Sequence, residues 1–283
     1  MAARFHPPPT AKQKALLLMP ARSRTAAFSS LPELAQRIKA GILDLLFPPR
    51  CVGCRTVGEW LCPRCRAQIE FIHPPICPRC GRPVLHRPHL CAVCRRAPPP
   101  LDGIRAVAYL EGVLREAIHR FKYENLQALA LPLGRFLAEY LARHPLPAEV
   151  VVPVPLHPNR EAERGYNQSA LLARQLVQQV HLPMVEDSLQ RVRETLPQVG
   201  LNVQERRENV RHAFLCVDER LRGKQVLLID DVCTTGATLE ACSTALRDRG
   251  VRSVWGLVLA RARRGGRGLT VCARRTIIKQ DAR

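Results

Sequence analysis

No apolar run among the 283 residues approaches the roughly 20 that a membrane-spanning helix needs, so nothing in the sequence calls for a bilayer. The N-terminal apolar stretch 15–19 is shorter than the core of about 7–15 residues in a secretory leader, and no small-residue cleavage pattern follows it. A cytoplasmic protein is expected. Aromatic residues make up only 5% of the chain, which leaves few rings for stacking successive bases of a nucleic acid. Acidic residues are missing from one end and almost missing from the other. Residues 1–30 carry five Lys/Arg and no acid, and residues 261–283 carry eight and one. These two tails hold +12 of the net +20, whereas residues 98–260, with twenty basic and nineteen acidic groups, come to +1. A global basic charge usually points to nucleic acid, but here it sits in the tails and in a cysteine-rich stretch of +6, residues 51–97.

That stretch holds eight of the twelve cysteines as four CxxC pairs: Cys51/Cys54, Cys62/Cys65, Cys77/Cys80 and Cys91/Cys94. A CxxC turn aims two thiolates at one tetrahedral metal, and two turns complete a four-cysteine site. The short spacing between pairs predicts a double ribbon with two structural zinc ions. Sequential pairing and an interleaved arrangement both satisfy the spacing. With Trp60, Leu61, Ile69 and Ile76 among its few core candidates, so short a segment needs metal to fold. A disulfide framework suits secreted chains better. Cys216, Cys233, Cys242 and Cys272 have no ligand spacing, and Cys216 and Cys242 read as core residues.

Residues 1–30 show no period and are expected to be disordered. A short helix is expected in 31–50, ending at Pro48-Pro49, and Pro98 to Pro100 punctuate the chain after the ribbons. The domain that follows spans 101–261, with a basic tail over 262–283. Its pattern predicts a strand at 104–110, a helix at 113–123, and a helix at 126–141 kinked at Pro132. Residues 150–156 read as a buried strand that Pro153 must end. A helix at 169–180 follows, then strands at 213–217, 226–229 and 253–259 in a mostly parallel sheet. His119 and His157 are read as surface or packing histidines, not general bases.

The chemistry concentrates in VLLIDDVCTTGAT, residues 226–238. Four apolar residues form a strand that is expected to end where Asp230 and Asp231 begin. The small hydroxyl loop Val232, Cys233, Thr234, Thr235, Gly236, Ala237 and Thr238 then leads into a helix expected over 239–249. Open α/β sheets bind ligands beyond the carboxyl ends of their strands, and helix N-termini attract anions. Carboxylates for hydroxyls beside a loop for phosphate describe a sugar phosphate.

These residues resemble the phosphoribosyl diphosphate (PRPP) signature of type I phosphoribosyltransferases: four hydrophobics, two acids, an apolar residue, one spacer, then Thr-Thr-Gly-x-Thr. The resemblance implies that fold, a mostly parallel α/β sheet flanked by helices, with the acids on the ribose hydroxyls and the loop on the 5-phosphate. Together with VPVPLHPNREAERGYNQSALLA, residues 152–173, and the order ribbon, linker, domain, the chain is similar to the ComF/GntX family. That likeness implies PRPP with Mg²⁺ as ligand. It places a diphosphate loop at Val154, Pro155, Leu156 and His157, and a mobile loop at 191–211 with Arg193, Thr195, Gln198, Arg206 and Asn209 at family-like positions. It further implies a role in DNA uptake, natural transformation or use of external DNA, with single-stranded DNA and uptake machinery at the inner face of the cytoplasmic membrane as partners. DNA would then run over Arg55, Arg64, Arg66, Arg79 and Arg82. Two readings stand: phosphoribosyl transfer with release of diphosphate, and a non-catalytic factor that senses PRPP or handles single-stranded DNA.

Overall fold

The computed structural model describes residues 48–85, 90–194, 203–210 and 212–263. Its elements in chain order are α1 (Pro63–Arg66), α2 (Ala92–Arg96), β1 (Gly103–Tyr109), α3 (Gly112–Tyr123), α4 (Ala130–Arg143) and β2 (Val150–Pro153). There follow α5 (Pro158–Arg164), α6 (Gln168–Val180), β3 (Leu189–Arg191), α7 (Val203–Val210), β4 (Phe214–Cys216), β5 (Gln225–Cys233), α8 (Ala237–Asp248) and β6 (Ser253–Arg261). The helix expected before Pro48, residues 1–30, Cys272 and all but the first two residues of the basic tail lie outside the described residues.

Four strands form a parallel sheet in the order β1-β6-β5-β2. The unbroken apolar runs are explained by burial on both faces. Leu227 and Ile229 enter one core with α3, α4 and α6, while Val226 and Leu228 enter the other with α8. β4, expected in this sheet, pairs antiparallel with β3 instead. Its pattern gives the reason: Phe214 and Cys216 are buried but Leu215 is 44% exposed, so only one face is covered.

β2 and β5 differ in length at their carboxyl ends. β2 stops at Pro153, opposite Ile229, and Val154 N–H makes a last bond to Ile229 O before the chain leaves the sheet. β5 does not stop at Ile229 as expected, but runs on to Cys233. Pairing with β6 carries it there, Asp230 opposite Val258 and Cys233 opposite Arg261. The Asp pair therefore belongs to the strand and sits where one of its two neighbours has ended. The helix expected over 126–141 is split, with a 3-10 turn at Gln127–Leu129 ahead of α4, which places Pro132 in the first helical turn. There its absent N–H costs nothing. A helix the sequence pattern missed, α5, begins with Pro158 behind the His157 cap and ends at Gly165, whose φ of 80° suits glycine.

The ribbons share the domain's cores. Cys51, Val52, Leu61, Cys65 and Ile69 are buried in one cluster with Leu114, Ile118 and Phe136, and Trp60 packs against it half-buried. Arg66 binds Glu139 of α4 through both carboxylate oxygens at 2.6 and 2.7 Å. Residues 70–72 lie antiparallel along the outer edge of β1, with Ile72 N donating to Val107 O and Tyr109 N to Glu70 O. This covers an edge that would otherwise be open to pairing. The second ribbon is tied by Ile104 N to Arg79 O at 2.7 Å, by Arg105 to Pro78 O at 3.0 Å, and by buried Arg261 to Cys80 O at 2.6 Å.

Gly81 has a φ of 69°, and a Cβ built there would lie 2.3 Å from Ile104 O. Gly81→Ala should therefore cost about 2–4 kcal/mol through overpacking and backbone strain. Because ribbon and sheet share contacts, the loss should lower the midpoint of the whole chain's thermal unfolding. A ribbon that melted early beside an unchanged main transition would contradict the shared packing.

Candidate functional site

The eight cysteines close into two clusters, Cys51/Cys54/Cys62/Cys65 and Cys77/Cys80/Cys91/Cys94, with all ligand atoms of each within 4.8 Å of one another. Sequential pairing is thus the arrangement formed, and interleaving is excluded. Cys54 and Cys62 Sγ stand 3.5 Å apart and Cys80 and Cys91 Sγ 3.6 Å, close to the ~3.8 Å edge of a tetrahedron with ~2.3 Å zinc–sulfur bonds. Backbone N–H groups of Cys62 and Cys91 donate to Cys51 and Cys77 Sγ, each at 3.4 Å. Crowded thiols cannot all ionise unaided. The Thr56 hydroxyl and backbone hold Cys54 down to about 6, while burial and the three neighbouring thiols push Cys65 up to about 12. A divalent cation resolves that conflict, so the donor set fits zinc. Cys216 and Cys242 are buried core residues, as expected, and burial raises the thiol pKa of both and of Cys233.

At the other site, Asp230 is 9% exposed and Asp231 3%. Asp230 Oδ1 accepts from Ser169 Oγ at 3.0 Å and from the Asp231 N–H at 2.9 Å. Lys122 Nζ of α3 reaches Asp231 Oδ1 at 2.8 Å. Asp231 Oδ2 is buried and has no hydrogen-bond partner among the described residues. Burial, and then the Asp231 charge, push the Asp230 carboxyl up to about 7. Burial works against the Lys122 ammonium, but Asp231 outweighs it and holds that pKa above its usual value.

Neither Lys122 nor Ser169 was legible as a site residue. A weak signal existed for the lysine. Leu114, Ala117, Ile118 and Phe121 form the buried stripe of α3, and Lys122, four residues after Ile118, puts an ammonium beside it. Asn167 organises the same corner. Its side chain caps α6 by accepting from Ser169 N, and it donates to Val154 O at 3.1 Å. Val154 to His157 form the loop after β2, with Val154 N bonded to Ile229 O and His157 Nδ1 accepting from Asn159 N. Past the Asp pair, Val232 is half-buried and Cys233 ends the strand. Thr234, Thr235 and Thr238 are half-buried, Gly236 caps α8 at a φ of 100°, and Thr235 Oγ1 accepts from Ala237 N.

In the loop expected to be mobile, Arg193 Nη2 donates to Asn209 O at 3.1 Å, joining the exit of β3 to the end of α7. Arg206 lies in α7, and Thr195 and Gln198 fall outside the described residues. A cavity of about 410 Å³ opens beside the loop after β2, lined among others by Pro155, Tyr166, Arg174 and Arg191.

The double zinc ribbon domain family matches residues 42–98, and the phosphoribosyl transferase domain family matches residues 166–273. The chain is 35% identical over 226 residues to Competence protein F of Haemophilus influenzae, covering 75% of this chain and 97% of that protein. It is 31% identical over 219 residues to the DNA utilization protein YhgH of Escherichia coli strain K12, covering 74% and 96%. Competence protein ComFC of Bacillus subtilis is 29% identical over 206 residues, covering 68% and 80%.

Metal analysis of the purified chain should find close to two zinc ions. One ion or none, with the ribbon thiols oxidised, would remove the metal reading. The Asp230 carboxyl gives a second expectation. Its folded pKa of about 7 lies above the ordinary 3.8, so its contribution to stability is fully present below about pH 4 and is lost as pH rises through about 7. The thermal midpoint of the parent should therefore fall relative to that of Asp230→Asn between pH 5 and 8. A constant gap across that range would mean the carboxyl is not held as described.

Proposed function

The chain belongs to the family that contains Competence protein F and the DNA utilization protein YhgH, and from that membership we propose that it binds PRPP at the carboxyl end of β5 and serves in the uptake or use of DNA. The observation that carries the reading is the placement of Asp230 and Asp231 beyond the end of β2, one turn of chain before the Thr/Gly loop that opens α8. A 5-phosphate at that loop would meet backbone N–H groups, the positive end of the helix and the hydroxyls of Thr234, Thr235 and Thr238. Gly236, buried and at positive φ, lets the backbone approach closely.

Asp230 is the natural acceptor for ribose hydroxyls, since Ser169 and the Asp231 N–H engage only its Oδ1. The loop after β2 would line the diphosphate. Mg²⁺, which favours one or two carboxylates together with substrate phosphates, fits this hard-oxygen set and would neutralise charge on the leaving diphosphate. Rigid placement of the sugar and compensation of that charge are what this chain's residues would contribute to a transfer.

The DNA part of the reading rests on the relatives' names and on charge. Of the ribbon arginines expected to line a DNA path, Arg66 is committed to Glu139, and Arg79 donates to the carbonyls of Leu101 and Asp102. Arg55 and Arg64 are exposed, as are Arg95 and Arg96, which makes these four the better candidates for phosphate contacts. Among the described residues no helix is long and apolar enough to cross a membrane.

Calorimetry with PRPP and Mg²⁺ should show binding. Asp230→Asn should weaken it by about 1–3 kcal/mol, the worth of a hydrogen bond to a charged group. Gly236→Val should weaken it more, by straining the loop and crowding Ile104. Equal affinity for the parent and both variants would remove PRPP from this site. Diphosphate release from PRPP with a panel of free bases, run alongside, separates a transferase from a PRPP-responsive factor.

A further inference from the structure

We propose that Arg261 is a positioning residue that ties the phosphate loop after β5 to the second zinc ribbon, so that metal in that ribbon and PRPP at the loop strengthen each other's binding. The inference rests on the PRPP reading above and concerns the wall behind the loop, not the face that meets the ligand. Arg261 stands opposite Cys233 at the end of the β5–β6 ladder, and Ala262 N closes that end by donating to Cys233 O at 3.2 Å. The Arg261 side chain is buried, and its Nη2 donates to Cys80 O at 2.6 Å. Cys80 belongs to the second cysteine cluster. One guanidinium thus joins the strand end that enters the loop to a metal-ligating residue 181 positions earlier in the chain.

The same cysteine turn reaches the loop by a second route. Ile104 N donates to Arg79 O at 2.7 Å, and the Ile104 carbonyl lies against Gly81. The far end of that side chain, Cδ1, is 3.3 Å from where a Cβ on Gly236 would stand, and Gly236 caps α8. Residues 77–82 therefore bear on both ends of the loop, on Cys233 through Arg261 and on Gly236 through Ile104. Metal gathers the thiols of that turn, so its presence sets how firmly the turn is held. The first ribbon docks elsewhere: it packs on α3 and α4, and its Arg66 binds Glu139 of α4. Arg261 also does more than fill space. Its Nε is buried with no hydrogen-bond partner among the described residues, a cost that an apolar side chain would not carry. Its charge acts on the Cys233 thiol against the effect of burial, and a fixed cation behind the loop favours an anion in front of it.

The test uses the zinc-loaded full chain as the parent, Arg261→Met and Arg66→Met, the last cutting the matching link of the other ribbon. Amide hydrogen exchange over 233–238 and calorimetry with Mg-PRPP are measured on each. Arg261→Met should speed exchange in that segment and weaken PRPP roughly five- to hundred-fold, the usual range for coupled sites. Arg66→Met should leave both near the parent's values even where it lowers the thermal midpoint. A third measurement needs no variant, and so holds if Arg261→Met does not fold. Because coupling is reciprocal, saturating Mg-PRPP should slow the release of one of the parent's two zinc ions to a zinc-selective chelator and leave the other's rate unchanged. Parental loop exchange and PRPP affinity in Arg261→Met would overturn the inference, as would equal losses in the two variants or zinc release indifferent to bound PRPP. In each of those cases PRPP binding by the parent would still stand. Faster loop exchange in Arg261→Met beside a parent that does not bind PRPP would keep the tie between ribbon and loop and remove the PRPP reading.

Discussion

Everything at the candidate site follows from one mismatch in length. β2 ends at Pro153 and leaves the sheet after a last bond from Val154 N–H to Ile229 O, while β6 goes on pairing with β5 as far as Cys233. For a few residues β5 has a neighbour on one side only. The chain puts its two acids there, where backbone from β2 no longer shields them, and the loop and α8 follow directly. Had β2 continued, Asp230 and Asp231 would be interior carboxylates with no route to a ligand. The corner left by β2 is closed by Asn167, which ties Val154 to the start of α6 and so brings Ser169 onto Asp230.

The electrostatics of that corner are unbalanced by design of the sequence: two buried carboxylates, one ammonium, and a sealed oxygen without a partner among the described residues. A buried polar atom left unpaired costs about 1–3 kcal/mol, and folded proteins tolerate that chiefly where function needs it. Burial, together with the Asp231 charge, raises the Asp230 carboxyl toward neutrality, a common mark of a functional pair.

The cysteine ribbons solve a different problem. Their own apolar residues are too few to fold them, and two four-cysteine clusters supply the framework that burial cannot. Once formed, they also finish the domain. Residues 70–72 cover the free edge of β1, Leu61 and Ile69 enlarge the core under α3 and α4, and Arg261 at the end of β6 is fixed by the Cys80 carbonyl. Several arginines that looked available for nucleic acid are consumed in this docking, Arg66 and Arg79 among them.

By itself the sequence determined the fold class, the eight cysteine ligands and the acid-and-loop motif. Each is a local pattern whose period or spacing has one physical meaning: unbroken β-branched runs buried on both faces, CxxC turns that share a metal, and small residues where a helix start meets an anion. Tertiary structure decided what depends on a neighbour. Where β5 ends is set by β6 and not by the apolar run, so the boundary read before Asp230 fell four residues short. The antiparallel β3–β4 pair, the pairing order of the cysteines and the shared core under the ribbons are likewise contacts between segments far apart in the chain. Lys122 is the sharpest case. It stands 109 residues from Asp231, and nothing in its own helix says that its partner is a carboxylate at the end of a strand.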